Sequence, residues 1–340
     1  MTEDNHPSPK PKRRWLRFGL RGLMVLVLLL SLPMGWIARD VYRSQREDEV
    51  VAAVEKAGGF ASYDYQQLNL WNEVPHPPGP WILRKLFGDH IHAYVDYVTL
   101  MEPDEVNTLI PMLANCHRLE YLELHEAVLS DQSVETIAQM PKLRELALIG
   151  TSITVDQMRQ LSQAPAMKSI TLEGPTASDD YVELLPLFSS LEDVALSQTT
   201  VTDRGMQSLG QLSDLKSVSI EQAPAVTNDG FAALANCPQL SDIWADGTKV
   251  DEGCIDTLKK LPELDDVYIS PGDLEVEFYA WGTMRLDTLK PVKVTAVFTP
   301  ICGTCAVFQS EKTGPRIVDV DTYSISVNRY DEDEVEDLPQ

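Results

Sequence analysis

Apolar residues recur along this chain in the pattern apolar-x-x-apolar-x-apolar. It appears at Val95-Val98-Leu100, Leu119-Leu122-Leu124, Leu143-Leu146-Leu148, Met167-Ile170-Leu172, Leu191-Val194-Leu196, Leu215-Val218-Ile220, Leu240-Ile243-Ala245 and Leu264-Val267-Ile269. The first positions are 24, 24, 24, 24, 24, 25 and 24 residues apart. A constant period in the twenties predicts a solenoid, because a unit this short cannot bury its own apolar face and must stack on its neighbours. The second and third apolar places lie two residues apart, so in an extended chain they point the same way, into the core. About ten residues further on, a second apolar cluster follows at helical spacing: Val134-Ile137, Met158-Leu161, Met206-Leu209, Phe231-Leu234 and Cys254-Leu258. The reading is an α/β solenoid with a parallel concave sheet, convex helices and about eight 24-residue repeats over 95–270.

The turns into the helices carry start signals. Asp131, Asp156, Asp179, Asp203, Asn228 and Asp251 precede the helical runs and are expected to accept the free backbone N–H groups of the first turn. Thr151, Thr199 and Thr248 share one place shortly after the strand. The runs GTSITVDQM, QTTVTDRGM and GTKVDEGC resemble bacterial leucine-rich repeats of the form T-x-[IV]-T-D-x-G-[LM]. The second fits closely, the first carries an extra Val155, and the third lacks the second Thr. The resemblance covers about 95–270 and implies a leucine-rich repeat fold in which the Thr hydroxyl bonds the turning backbone. The stretches Glu173-Gly-Pro175 and Ala223-Pro224-Ala225 depart from the pattern.

Before the repeats, an uncharged run from Gly22 to Ala38 is dense in Leu, Val and Met. As a helix it spans roughly 25 Å, at the short end for a bilayer core. Lys10, Lys12, Arg13, Arg14, Arg17 and Arg21 precede it, against Arg39, Arg43 and Arg46 after it. The positive-inside rule then predicts a basic cytoplasmic tail (1–21), a transmembrane helix (22–38) and everything later outside the cytoplasmic membrane. A cleaved signal peptide is the rival reading, but Pro33 to Arg39 lacks a small-x-small site. Residues 39–94 read as a juxtamembrane helix continuing to Lys56, a short strand from Phe60 to Gln67, and an N-terminal cap. In that cap WILRKLF (Trp81 to Phe87) is expected to cover the open end of the first repeat, with a membrane-surface helix as its alternative. The opening of the chain also resembles the anchor and cap of bacterial envelope repeat proteins.

Beyond Ile269 the period stops. Alternation at Leu274 to Trp281, Val292 to Thr299 and Ile317 to Val327 predicts a small β-rich region or cap (271–330), followed by an acidic tail (331–340).

Charge narrows the function classes. A formal net charge of −24 should repel nucleic acid and anionic lipid and favour basic partners. No nucleophile elbow, phosphate loop, dinucleotide fingerprint or zinc-protease helix occurs in the sequence, so the chain is read as a non-enzyme without cofactor, metal or small-molecule substrate. His90 and His92 share a face if extended, but lack a third ligand nearby in sequence. Cys116, Cys237 and Cys254 fall at repeat-core places. Cys302 and Cys305 form a C-x-x-C without room for a thioredoxin-like frame, and read as a local disulfide, with free thiols or thiol–disulfide chemistry as alternatives.

The concave face is the candidate site. Its third places are Tyr97, Tyr121, Glu145, Ser169, Asp193, Ser217, Asp242 and Asp266. Its fifth are Thr99, Glu123, Ala147, Thr171, Ala195, Ser219, Trp244 and Tyr268. Its seventh are Met101, His125, Ile149, Glu173, Ser197, Glu221, Asp246 and Ser270. Acids are frequent among them and Lys and Arg absent, while Tyr97 with Tyr121 and Trp244 with Tyr268 fall on neighbouring strands. Exposed aromatics among like charges suit anchor residues for a protein or peptide, preferably basic. From these residues the expected function is a membrane-anchored protein–protein interaction module outside the cytoplasmic membrane. A structural envelope spacer is the alternative.

Overall fold

The structure, a computed structural model, describes residues 20–66, 76–271, 294–297, 305–310 and 314–319. One sheet holds nine strands in chain order: β1 (Phe60–Tyr63), β2 (Val95–Leu100), β3 (Tyr121–His125), β4 (Glu145–Ile149), β5 (Ser169–Glu173), β6 (Asp193–Ser197), β7 (Ser217–Glu221), β8 (Asp242–Thr248) and β9 (Asp266–Pro271). β1 runs antiparallel to β2, and β2 to β9 are parallel, each to the next. The crossovers carry α3 (Pro103–Leu113), α4 (Asp131–Ala138), α5 (Val155–Leu161), α6 (Asp179–Val182), α7 (Asp203–Leu209), α8 (Asn228–Phe231) and α9 (Ile255–Leu258). Strands and helices alternating around a parallel sheet fit a leucine-rich repeat solenoid. The register matches the sequence period: Val98, Leu122, Leu146, Ile170, Val194, Val218, Ile243 and Val267 form one rung of Cα partners, all buried. A single apolar core runs the length of the stack. Cys116, Met140, Ala164, Phe188, Leu212, Cys237 and Leu261 form a buried row at the end of successive crossovers. Burial pushes the Cys116 and Cys237 thiols up to about 12 and about 11, so neither is a reactive thiolate.

Of the helix-start residues, Asp251 acts as expected, accepting from the Gly253 N–H at 2.8 Å. At four other helices the capping side chains are Ser130, Thr154, Thr202 and Thr227, one or two residues earlier than the expected ones. Asp156 pairs with Arg159 of its own helix, and the remaining four reach to the following repeat. Asp179 accepts from the Thr202 N–H (2.8 Å), the Thr202 hydroxyl (2.7 Å) and the Gly205 N–H (3.1 Å). Asp203 takes the same two groups of Thr227, both at 2.8 Å. Asp131 accepts from Gln157 at 2.8 Å, and Asn228 accepts from the Asp251 N–H at 3.2 Å. The glycine of the D-x-G motif follows from this ladder. A Cβ on Gly205 would lie 2.5 Å from Asp179 Oδ1, and one on Gly230 would lie 2.3 Å from Asp203 Oδ1. The expected Thr role holds at the buried Thr151 and Thr199, whose hydroxyls donate to Leu124 O (2.9 Å) and Ala177 O (2.6 Å).

A second row emerges only in three dimensions. Glu126, Gly150, Gly174, Gln198, Gln222 and Gly247 all have positive φ, between 49° and 77°. They recur at one place of the repeat, so from β3 to β8 the chain turns through a left-handed residue at the end of the strand. Gly174 therefore keeps the turn geometry where the sequence departs from the motif. For an L-residue that conformation costs roughly 1–2 kcal/mol, partly offset in glycine by about 0.5–1 kcal/mol of extra chain entropy. Gln222→Gly is expected to raise stability by about 0.5–1 kcal/mol, read as a higher denaturant midpoint at unchanged slope.

The N-terminal end is closed by α1 (Leu20–Lys56) and β1, and not by α2 (Trp81–Phe87), which has no buried residue. Val50 and Val54 of α1, with Ala61 and Tyr63 of β1, belong to the core. A short apolar helix seven residues long has too little surface to seal a repeat, whereas the second half of α1 lays several turns against it. Arg43 pins this contact, donating to Ile91 O (2.7 Å), Ala93 O (2.6 Å) and Glu47 (2.9 Å), and its guanidinium stacks 3.8 Å from the Tyr94 ring centre. Gly59 lets the chain turn here, since a Cβ would lie 2.6 Å from Thr99 O. From Met24 onward α1 is long and apolar enough to cross a membrane.

The C-terminal region contributes a separate three-stranded antiparallel sheet of β10 (Val294–Val297), β11 (Cys305–Ser310) and β12 (Gly314–Asp319). Of the strand expected at 292–299, residues 294–297 are described and form β10. The strand expected from Ile317 begins earlier, at Gly314, and pairs antiparallel with β11. The strand expected at 274–281, and Cys302 with its expected disulfide to Cys305, lie outside the described residues.

Candidate functional site

Strand alternation sends the fourth and sixth places inward and the third, fifth and seventh outward, and the register stacks each outward place into a row across the sheet. Along the third places Tyr97, Tyr121, Glu145, Ser169, Asp193, Ser217, Asp242 and Asp266 are successive Cα partners. Along the fifth, Thr99, Glu123, Ala147, Thr171, Ala195, Ser219, Trp244 and Tyr268 follow. Thr99 and Ala147 are buried even so, shaded by their larger neighbours. His125, Ile149, Glu173, Ser197 and Glu221 make the seventh row, Asp246 pairs with Ser270, and Met101 falls just past the end of β2.

At the β2–β3 end the aromatic stack is present: the Tyr97 and Tyr121 rings lie 4.3 Å apart at 6°. Phe60 of β1 adds its ring edge-on to Tyr97 at 5.9 Å and 67°. Sequence reasoning missed Phe60 because β1 stands outside the repeat; the alternation from Phe60 onward was its only signal. Glu123 holds the cluster's polar side, accepting from the Tyr121 hydroxyl at 2.6 Å and facing His125 Nε2 at 2.5 Å. Burial, and then that hydroxyl bond to Glu123, push the Tyr121 phenol up. At the other end Trp244 is half-buried and in register with Tyr268; the side chains of Asp266 and Tyr268 lie outside the described residues. The fold does not bring the two aromatic groups together. Five strand spacings separate β3 from β8, about 24 Å along the sheet.

Between them runs an acidic strip. Burial, and then repulsion from Asp193 and Glu120, hold the Glu145 carboxyl above its ordinary value. Asp193 is raised likewise, by burial, by Glu192 and by Asp242 among others. The neighbouring cations at the second places offset this in part: Lys168 and Lys216 both pair with Glu192 and also pull Asp193 down, and Arg144, 3.5 Å from Glu120, pulls Glu145 down, but burial and repulsion outweigh them. Burial and mutual repulsion thus leave a strip whose carboxylates are stabilised by an incoming cation. Glu173 accepts from Gln198 at 2.9 Å, and Glu221 from Ser219 at 3.2 Å, which orients both on the rim.

His90 and His92 do not share a face. His90 stacks on Tyr63 at 3.9 Å and meets Asp48 at 3.0 Å, while His92 stacks on Trp36 at 6.1 Å and lies 3.5 Å from Asp40. Both fasten α1 to the start of the solenoid. Among the described residues no cluster of three His, Cys, Asp or Glu is placed to hold a metal ion.

No protein-family model matches the chain, and no curated protein matches it in sequence. Among solved structures, an internalin (InlF) from Listeria monocytogenes strain 4b F2365 is similar at 16% identity and a TM-score of 0.27. The match covers 46% of this chain and 56% of the internalin, so this chain spans just over half of that protein's length.

Proposed function

We propose that the chain is a membrane-anchored interaction module that offers its acidic concave face to a basic protein or extended peptide, outside the cytoplasmic membrane. The observation that carries this reading is the row of carboxylates Glu145, Asp193 and Asp242 on the concave face, of which Glu145 and Asp193 are held above their ordinary values, beside the Tyr97–Tyr121 stack. Such a strip is strained while empty. A Lys or Arg side chain laid across it relieves the repulsion, and the tyrosine faces supply area and cation–π attraction. The apolar first part of α1 and the basic residues before it support the anchoring and its orientation.

The strip predicts opposite signs for stability and binding. Both carboxyls have raised values in the folded protein, so the folded state holds their protons longer and their ionisation opposes folding at neutral pH. Glu145→Gln with Asp193→Asn is therefore expected to leave stability equal or slightly higher. The same pair is expected to weaken binding of Lys- and Arg-rich peptides by about tenfold, on the scale of one or two lost charge-assisted contacts. The test sorts a display library of peptides of varied net charge on the full-length protein in nanodiscs. Enrichment of basic sequences, with affinity that falls in salt and in the double variant, supports the reading. Selected peptides without charge preference, or unaffected by the double variant, would remove it.

A further inference from the structure

The apolar surface of this protein is not confined to the first part of α1. In α2, Trp81, Ile82, Leu86 and Phe87 are 65, 52, 67 and 44% exposed, although the helix has only seven residues. Helical spacing puts Trp81, Ile82, Lys85 and Leu86 on one outward arc, while Leu83, Arg84 and Phe87 turn the other way. Phe87 closes a groove with Met34, Ile37, Ala38, Val41 and Tyr42 of α1. Through Phe87, α2 therefore lies beside the last turns of the apolar run, with Trp81, Ile82 and Leu86 left exposed. Trp36 and Tyr42, 56 and 58% exposed, flank this end of the run, about 9 Å apart along α1. Arg84 ties the helix to the preceding loop by donating to Pro77 O at 3.0 Å.

We propose that α2 lies in the headgroup layer of the outer leaflet as an interfacial helix, with Trp81, Ile82 and Leu86 dipping among the upper acyl carbons. This rests on reading α1 as the membrane span. Three features select lipid as the occupant. The patch begins where the span ends; Trp36, Tyr42 and Trp81 form the aromatic belt that membrane–water boundaries favour; and Lys85 sits in the middle of the arc, where it can extend its ammonium to phosphate while its stem stays in the apolar layer. The solenoid would then have two attachments to the bilayer. Because Arg43 fastens α1 to Ile91 and Ala93 at the start of the solenoid, two attachments would set the tilt of the concave face relative to the membrane.

Depth measurement by spin labelling tests this on the full-length chain in liposomes of mixed phosphatidylcholine and phosphatidylglycerol. A nitroxide is attached at Leu86→Cys in a Cys302→Ser, Cys305→Ser background, with matching labels at Leu28→Cys in α1 and at Val128→Cys, which is 71% exposed on the solenoid. The expected result is a Leu86 label that collides with oxygen several-fold more than with a water-soluble nickel complex, at a depth of roughly 5–10 Å, while Leu28 reads deeper and Val128 reads aqueous. A Leu28 label in lipid with Leu86 as aqueous as Val128 overturns the inference and leaves the anchor intact. A Leu86 label shielded from both reagents means that protein covers α2, which also overturns it. An aqueous Leu28 label removes the anchor reading, and this one with it.

Discussion

Asp179→Ala is expected to lower stability by about 3 kcal/mol, although the residue sits at the edge of a short convex helix and has no apolar contact to lose. Its carboxylate satisfies three donors of the next repeat: the Thr202 N–H, the Thr202 hydroxyl and the Gly205 N–H. Removing it strands part-buried donors, each worth about 1–3 kcal/mol when left unpaired. Gly205→Ala attacks the same joint from the other side. Its Cβ would lie 2.5 Å from Asp179 Oδ1 and 2.8 Å from Val201 Cγ1, so the two repeats would be forced apart at a cost of about 2 kcal/mol. Because one clash partner of that methyl is the carboxylate itself, the double variant should lose less than the two single losses added together. Urea unfolding of the two single variants and the double variant measures the coupling. Strict additivity would show that the ladder does not join the repeats.

Arg43→Ala carries the second large effect, about 3–5 kcal/mol, the range for breaking a buried ion pair from one side. The guanidinium is the joint between α1 and the solenoid. Its loss frees Ile91 O and Ala93 O and leaves the Glu47 carboxyl, 1% exposed, without its cation. Amide exchange should rise over residues 43–63 and 89–100 while the exchange of β4 to β7 stays unchanged; a uniform rise would show that the joint is not local. Glu47 also gives this joint a pH dependence. It lies on α1 well beyond the apolar run, and burial pushes its carboxyl up to about 7 from an ordinary 4.5, against the opposing pull of Arg43. Between those values the folded chain holds a proton that the unfolded chain has released. Stability therefore falls as pH rises from about 4.5 to 7 and is level above that, by at most about 3 kcal/mol. Glu47→Gln should flatten this slope, which a pH series of unfolding midpoints detects.

The repeat was legible because its cause is local and periodic. A 24-residue spacing and an inward pair two residues apart leave one register in which the inward pairs of β2 to β8 are buried, and a slip by one residue would expose them all. The outward rows follow from the same alternation, so the neighbours Tyr97 with Tyr121 and Trp244 with Tyr268 were readable as register partners before any coordinates. The buried Thr151 and Thr199 were readable because their place recurs. The helix-start reading holds at Asp251 and fails at Asp131, Asp179, Asp203 and Asn228 for a physical reason. A cap within one helix and a bond to the next repeat use the same side chain in the same place, and only the stacking distance between repeats decides between them.

Three features needed the assembled chain. The left-handed row mixes Gly150, Gly174 and Gly247 with Glu126, Gln198 and Gln222, and no composition rule marks Glu or Gln for that backbone; the turn geometry of the stack imposes it. The separation of the aromatic ends by an acidic strip is a distance across five strands, and the desolvation that raises Glu145 and Asp193 depends on what surrounds them. The closing of the first repeat fell to α1 and not to WILRKLF, because sealing a core is a matter of area, and a long helix running past the open end covers more of it than a single short turn. The sequence by itself determined the period, the faces and the membrane-length apolar run, since each is a property of neighbours along the chain. The tertiary structure decided the inter-repeat bonds, the strained turns and the seat of α1, since each depends on groups that only folding brings within reach.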